Sequence, residues 1–313
     1  MVTLFTDPRM LDHRPAAAHP ERPERLAAVL RHLDRTGLAR ACSSRTVRPA
    51  TDEELLRVHT PGHLAAVSRM AAAGGGQIEA DTWVSPGSPL AARLAAGAAV
   101  DAVATVVEGP NRRALCLVRP PGHHARPDEP MGFCLFGSVA VAAADAVARL
   151  GMGRVLVVDW DVHHGNGTQE IFYGDPSVAF LSIHRHPFYP GSGAESETGT
   201  GAGLGATSNV PIRFGTPRDE FRAAFRSALE AMADRVRPDL VILSAGFDAH
   251  AEDPVGNLGL EVEDFEEMTR DVIQVAEAHA GGRLVSILEG GYNVPILAGC
   301  VAAHLQALGV EAR

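Results

Sequence analysis

The chain has 313 residues, 46% of them hydrophobic and 21% charged, which excludes an intrinsically disordered protein and suffices for a substantial core. A formal net charge of −10 argues against nucleic-acid binding through bulk electrostatics and leaves room for a negative mouth that attracts cationic substrates. Cys42, Cys116, Cys134 and Cys300 form no CxxC pair, the pattern of free thiols in a reducing compartment. The opening residues MVTLFTDPRM lack a basic region followed by an apolar core, so the expected location is cytoplasmic.

Val2 to Phe5 reads as a short strand, followed by a polar loop with His13, His19 and the run HPERPERL. Pro23 lies near the start of a helical pattern carried by Leu26, Val29, Leu30 and Leu33. The Ala-rich stretches Leu64 to Ala73 and Leu90 to Val107 read as helices separated by the flexible Gly74 to Gly76. Interrupted by Asp101, the apolar part of the second, from Leu94, is expected to be too short for a membrane span.

From residue 114 the pattern repeats: an apolar run, a polar loop, then usually a helix. The runs are 114–118, 155–158, 178–183, 240–245 and 284–288. Alternation of this kind predicts one α/β domain over residues 1–313, an open, mostly parallel sheet with helices on both faces.

Each run meets polar chemistry. The first leads to His123 and His124, the third to His184, Arg185 and His186, the fourth to Asp248 and His250, and the last to EGGY with Tyr292. The second enters DWDVHHGNGTQ, where Asp159, Asp161, His163, His164 and Asn166 fall within eight residues. In a parallel sheet these strand ends share one edge, where such folds place ligands.

Two carboxylates and an imidazole, Asp161, His163 and Asp248, describe an open catalytic metal site that suits Zn²⁺ and would accept Fe²⁺, Co²⁺ or Mn²⁺. Beside a metal-activated water, His123 and His124 would supply a general base and then a general acid, oriented by Asp159 and Asn166. A Tyr292 hydroxyl donating to a developing oxyanion would complete a carbonyl-hydrolysing centre. Phe133, with Phe188 or Tyr189, would wall a narrow apolar slot for an aliphatic side chain.

In this order, RPPGHHA, GFCLF, DWDVHHGNGTQ, SIHR, FYPGSG, SAGFDAH and LEGGY resemble the histone deacetylase family of the arginase/deacetylase superfamily, with HPERPERL extending the likeness to the N-terminal region. The resemblance implies a metal-dependent amidohydrolase that removes acetyl or another acyl group from lysine side chains or small acylated amines. It implies Zn²⁺ on Asp161, His163 and Asp248, His124 as general base and acid, and His123 as its electrostatic aid. In the same family, Asp159 would orient His123, Asn166 would pair with His124, and Tyr292 would polarise the acyl oxygen. Gly132, Phe133, Tyr189 and Asp81 would meet the substrate. A K⁺ or Na⁺ ion would sit at Asp159, Asp161, His163 and Ser182, and a second at Phe172, Asp175 and Val178. The asparagine at 166, with HPERPERL and LEGGY, is similar to the class II and bacterial branch.

Two departures stand out. Gly137 and Ser138 replace the family's usual asparagine, so a hydrogen bond supporting that loop is expected to be missing or replaced. Val255 occupies the position where polyamine-preferring relatives can place a glutamate, and an apolar residue leans toward acyl-lysine.

Other readings are deacetylation of acetylated polyamines, an arginase-like ureohydrolase with two Mn²⁺ ions, and a degenerate acyl-lysine-binding module. The ureohydrolase would need further bridging carboxylates, and the binding module should have lost a ligand or the tyrosine. Neither nucleic acid nor membrane is an expected partner, and the sequence leaves the oligomeric state open.

Overall fold

The computed structural model describes residues 1–311. In chain order the elements are β1 (Val2–Phe5), α1 (Glu24–Arg35), β2 (Ser43–Arg45), α2 (Asp52–Leu55), α3 (Pro61–Ala72), β3 (Gly76–Gln77), β4 (Trp83–Val84), α4 (Ser88–Glu108), β5 (Arg113–Cys116) and α5 (Ser138–Ala148). They continue with β6 (Val155–Asp159), α6 (Asn166–Phe172), β7 (Val178–Arg185), β8 (Thr207–Ile212), α7 (Arg218–Val236), β9 (Leu240–Ala245), α8 (Val262–His279), β10 (Leu284–Leu288) and α9 (Val294–Ala307).

Eight strands form one sheet in the order β2-β1-β5-β10-β9-β6-β7-β8, and every pairing within it is parallel. Strands β6, β9 and β10 are buried along their whole length, and β7 is buried up to its last residue. Their near-continuous Val, Ile and Leu runs are what a sheet covered on both faces requires. Helices α4 and α5 cover one face, while α7, α8, α9 and α1 pack in sequence on the other. The α/β expectation therefore holds, with residues 312–313 outside the described part.

Three expectations change in detail. Helix α3 begins at Pro61 because the Thr60 hydroxyl caps it by accepting the His63 N–H at 3.2 Å. Helix α4 runs 21 residues from Ser88 and is long and apolar enough to cross a membrane, which corrects the reading of it as too short. Its apolarity serves the core: 67% of the apolar window is buried, packed against β5, β10 and α5. The edge strands β2 and β8 were not foreseen, since SSR and TSNVPI carry no apolar run.

Candidate active site

Beyond the carboxyl end of β6, the chain places Asp161 and His163 opposite Asp248, which follows β9. His163 Nδ1 lies 3.0 Å from Asp161 Oδ1 and 3.1 Å from Asp248 Oδ2. One ligand atom from each of the three residues lies within 4.8 Å of the others, and all three residues are buried. Gly290, just past β10, donates its N–H to Asp161 Oδ2 at 2.8 Å. A Cβ there would collide with both carboxylates, so only glycine lets the two ligand loops close on each other.

The electrostatics of this trio draw positive charge to it. Burial, reinforced by the Asp161 charge, pushes Asp248 up to about 7. Burial opposes a charged His163, yet its bonds to Asp161 and Asp248 raise it to about 9. Two buried carboxylates thus call for a positive charge where their oxygens meet the imidazole. A divalent cation fits that requirement and this oxygen- and nitrogen-donor set.

Although Asp159 shares the alternation of Asp161 and His163, its carboxylate serves a different partner. Its Oδ1 accepts the Asp161 N–H at 3.0 Å and its Oδ2 pairs with His123 Nδ1 at 3.0 Å. Burial works against a charged His123, but Asp161 and Asp159 overcome it and push the imidazole up to about 10. His124 Nδ1 is 2.7 Å from Asn166 Oδ1. Because an amide oxygen only accepts, the proton is assigned to Nδ1 and the lone pair to Nε2. Burial, then the neighbouring His123 and His163, hold His124 well below the usual histidine range. The two rings sit 4.0 Å apart, one biased toward charge and the other held neutral. His164 lies outside this pair, bonded to Ser192 Oγ at 2.8 Å and Gln169 Oε1 at 3.0 Å.

A cavity of about 150 Å³ opens onto His124, His163 and Tyr292. Gly132, Phe133, Tyr189 and Asp81 all line it, joined by Phe188 and Val255. Gly132 has φ +56°, and a Cβ there would strike the His124 ring. Burial keeps the Tyr292 phenol far above its usual range, so it remains a proton donor. Larger hollows of about 720 and 480 Å³, one between residues 12–16 and 74–87 and the other beside Asp101, lack this convergence of acid, base and ligand groups.

The residues expected to hold monovalent ions fall in two places. Ser182 pairs in register with Asp159 beside the ligand loop, and its hydroxyl lies 2.9 Å from His184 Nδ1. Phe172, Asp175 and Val178 lie where α6 turns into β7, with the Asp175 N–H donating to Phe172 O at 3.0 Å.

At the Gly137 departure the loop is held through its backbone. The Gly137 N–H donates to His59 Nε2 at 2.9 Å, and His59 Nδ1 lies 2.9 Å from Arg126 O. The Ser138 hydroxyl is buried without a partner.

Sequence reasoning missed several supporting residues. Arg25 reaches the carbonyls of Glu289 and Gly291, each at 2.6 Å, and its guanidinium carbon stands 4.8 Å from the Tyr292 ring centroid. Buried Glu21 holds Arg25 and receives a bidentate pair from Arg119 at 2.9 and 2.7 Å. The signal was present in HPERPERL: charged residues spaced along an amphipathic helix start, whose partners lie more than ninety positions away. Glu289 Oε2 accepts the Gly122 and His123 N–H groups at 2.6 and 3.2 Å, fixing the histidine loop from β10. His123, Cys134 and Glu289 also bring ligand atoms within 4.8 Å of one another, but His123 and Glu289 are engaged in these bonds.

With this geometry in hand, comparison with known proteins is direct. The histone deacetylase domain profile matches residues 19–308. The chain is 42% identical over 294 residues to the histone deacetylase-like amidohydrolase of Pseudomonas aeruginosa, covering 94% of this chain and 77% of the relative. It is 40% identical over 301 residues to the polyamine deacetylase HDAC10 of Homo sapiens, covering 92% and 44% respectively. Among solved structures, the HDA15 HD domain superposes with a TM-score of 0.93 at 40% identity, covering 100% of this chain and 89% of that one.

Proposed function

The chain belongs to the histone deacetylase family, and from that premise we propose that this deacetylase removes acetyl or another acyl group from lysine side chains of proteins or peptides. One observation carries the substrate reading: a small cavity is lined by His124, His163 and Tyr292 together with Phe133, Phe188, Tyr189 and Val255. A methylene chain suits such walls, and a cation-capturing carboxylate is absent from position 255.

Asp161, His163 and Asp248 would hold Zn²⁺, with Fe²⁺ or Co²⁺ as substitutes. The ion supplies Lewis acidity toward a water and the acyl oxygen. His124 Nε2, neutral and aimed by Asn166, takes a proton from the attacking water and returns it to the leaving amine. Charged His123, anchored on Asp159, stabilises the negative charge that builds during attack. Tyr292 donates its hydroxyl proton in a hydrogen bond to the acyl oxygen. Phe133, Tyr189 and Gly132 enclose the chain, and Asp81 receives the substrate at the rim. K⁺ or Na⁺ at Asp159, Asp161, His163 and Ser182, and at Phe172, Asp175 and Val178, would brace the ligand loops from behind. We place the enzyme in the cytoplasm, where its four free cysteines would stay reduced.

A second reading, deacetylation of small acetylated amines, is favoured by the Asp81 carboxyl group in the cavity lining, a polar partner within reach of an amine. The deciding experiment offers acetyl-lysine peptide, acetylated polyamine and arginine to protein loaded with Zn²⁺, Fe²⁺ or Mn²⁺. Acetate released fastest from the peptide supports the proposal, and faster release from the polyamine transfers it to the second reading. Urea from arginine with no acetate from either amine overturns both.

A further inference from the structure

A column of side chains runs from the cavity to the surface at the end of β7. The Phe188 ring lies against the His163 imidazole, with centroids 5.3 Å apart and planes inclined by 17°. The Arg185 guanidinium carbon stands 4.1 Å from the Phe188 centroid and 4.5 Å from that of Phe214. Phe214 is 62% exposed, so the column ends in solvent.

Arg185 also uses the edge of its plane. Nη1 donates to the carbonyls of Gly256 at 3.0 Å and Asn257 at 3.3 Å, directly after Val255. Its backbone N–H donates to Val162 O at 2.8 Å, between Asp161 and His163. One residue therefore ties together the metal-ligand loop, the Phe188 wall and the Val255 wall.

We propose that Arg185 is a positioning residue that sets the width of the substrate slot by holding Phe188 and the Val255 segment in fixed relation. The proposal rests on the reading of this cavity as the slot for the acylated chain. Phe188 has no polar atom to fix its ring, so its orientation depends on what covers its faces. A planar guanidinium can stack on a ring while its N–H edge grips carbonyls, whereas an ammonium group offers no plane. Phe214 covers the same guanidinium from outside the cavity, so a surface residue contributes to the shape of the slot.

The test compares zinc-loaded full-length wild type with Arg185→Ala, Arg185→Lys and Phe214→Ala. Dissociation constants are measured for two chelating probes, hexanohydroxamate with a thin alkyl chain and benzohydroxamate with a flat ring. Steady-state constants for an acetyl-lysine peptide and melting temperatures accompany them. For Arg185→Ala the affinity ratio shifts on the order of fivefold toward the ring probe, a change typical of altered pocket shape. In the same variant KM rises while kcat changes by much less. Arg185→Lys does not restore the ratio. Phe214→Ala shifts it in the same direction, by roughly twofold, with an unchanged melting temperature.

A lowered melting temperature with the wild-type probe ratio in Arg185→Ala overturns the proposal. Should that variant not fold, wild-type ratios in both Arg185→Lys and Phe214→Ala overturn it. A wild-type protein that cleaves no acyl-lysine peptide removes the substrate reading instead, and the hydroxamate ratio still decides the role of Arg185.

Discussion

Asp253 Oδ2 accepts the backbone N–H of Tyr292 at 2.6 Å, so the residue that presents the phenol hangs from a carboxylate in a different loop. The other oxygen of Asp253 accepts the N–H groups of Val255 and Gly256, each at 2.9 Å. Replacing Asp253 by asparagine turns one acceptor into a donor that faces donors. We expect Asp253→Asn to bind zinc at wild-type stoichiometry while kcat falls on the order of tenfold or more, the scale of a misplaced reacting group. Unaltered kcat would show that Tyr292 is held well enough by other contacts.

Tyr292→Phe keeps the ring against Phe133 and Arg25 and deletes only the hydroxyl. Turnover should drop by about 10²-fold or more, the cost of losing one oxyanion donor. Zinc content and melting temperature should match wild type. Full activity would remove Tyr292 from the chemistry.

The metal should stabilise the fold as well as the reaction. At a hundredfold excess of free Zn²⁺ over its dissociation constant, linkage adds about 2.7 kcal/mol to the folded state. Chelation should therefore lower the melting temperature of wild type, and Asp248→Ala should abolish the difference between zinc-loaded and chelated samples. A melting temperature insensitive to chelation in wild type would contradict zinc binding at the trio.

Arg25→Met retains much of the side-chain volume but strips two carbonyls of their donor and leaves buried Glu21 with less positive charge. Uncompensated buried polar groups of this kind cost about 3 kcal/mol or more. Denaturant midpoints should fall accordingly, with kcat lowered because the Glu289–Tyr292 segment loses its clamp. A variant as stable as wild type would show that Arg119 and His13 suffice for Glu21.

His59 gives a pH signature. Burial, then the adjacent His63, lowers it to about 3 from an ordinary value near 6.5, and the unprotonated Nε2 accepts the Gly137 N–H. The unfolded chain binds this proton more readily, so stability is present above pH 6.5 and is lost progressively as pH falls toward 3. Burial pushes His304 down to about 3 in the same sense. His59→Gln should lose less melting temperature than wild type between pH 8 and pH 5, each measured with excess zinc. Parallel curves would assign the acid sensitivity to other groups.

The parts of the site legible in the sequence were those whose partner is nearby or whose chemistry is unusual. Asp161 and His163 announce themselves by alternation after a buried strand, and His123 with His124 by adjacency. Asp159 lies on the same side of the chain as Asp161 and His163, yet the family resemblance assigns it to orient His123, and its Oδ2 lies 3.0 Å from His123 Nδ1. Arg25 and Asp253 escaped because each acts on backbone atoms of another loop, and a backbone carbonyl or N–H leaves no mark in residue identity; Glu21 escaped because its partner Arg119 lies 98 positions away in sequence. Edge strands β2 and β8 escaped for a related reason: their pairing comes from backbone hydrogen bonds while their side chains remain polar or mixed. His59 could be seen only as one histidine among several until its bond to Gly137 tied it to the departure at that position.

Strand β10 lies between β5 and β9, yet it is the last of the strands to be made. Until residues 284–288 insert, the half of the sheet behind His123 and His124 has no ladder to the half that carries Asp161, His163 and Asp248. The final strand acts as a keystone: a chain stalled before it would lack the one ladder that links the two halves of the sheet, leaving helix packing through α4 and α5 to hold them.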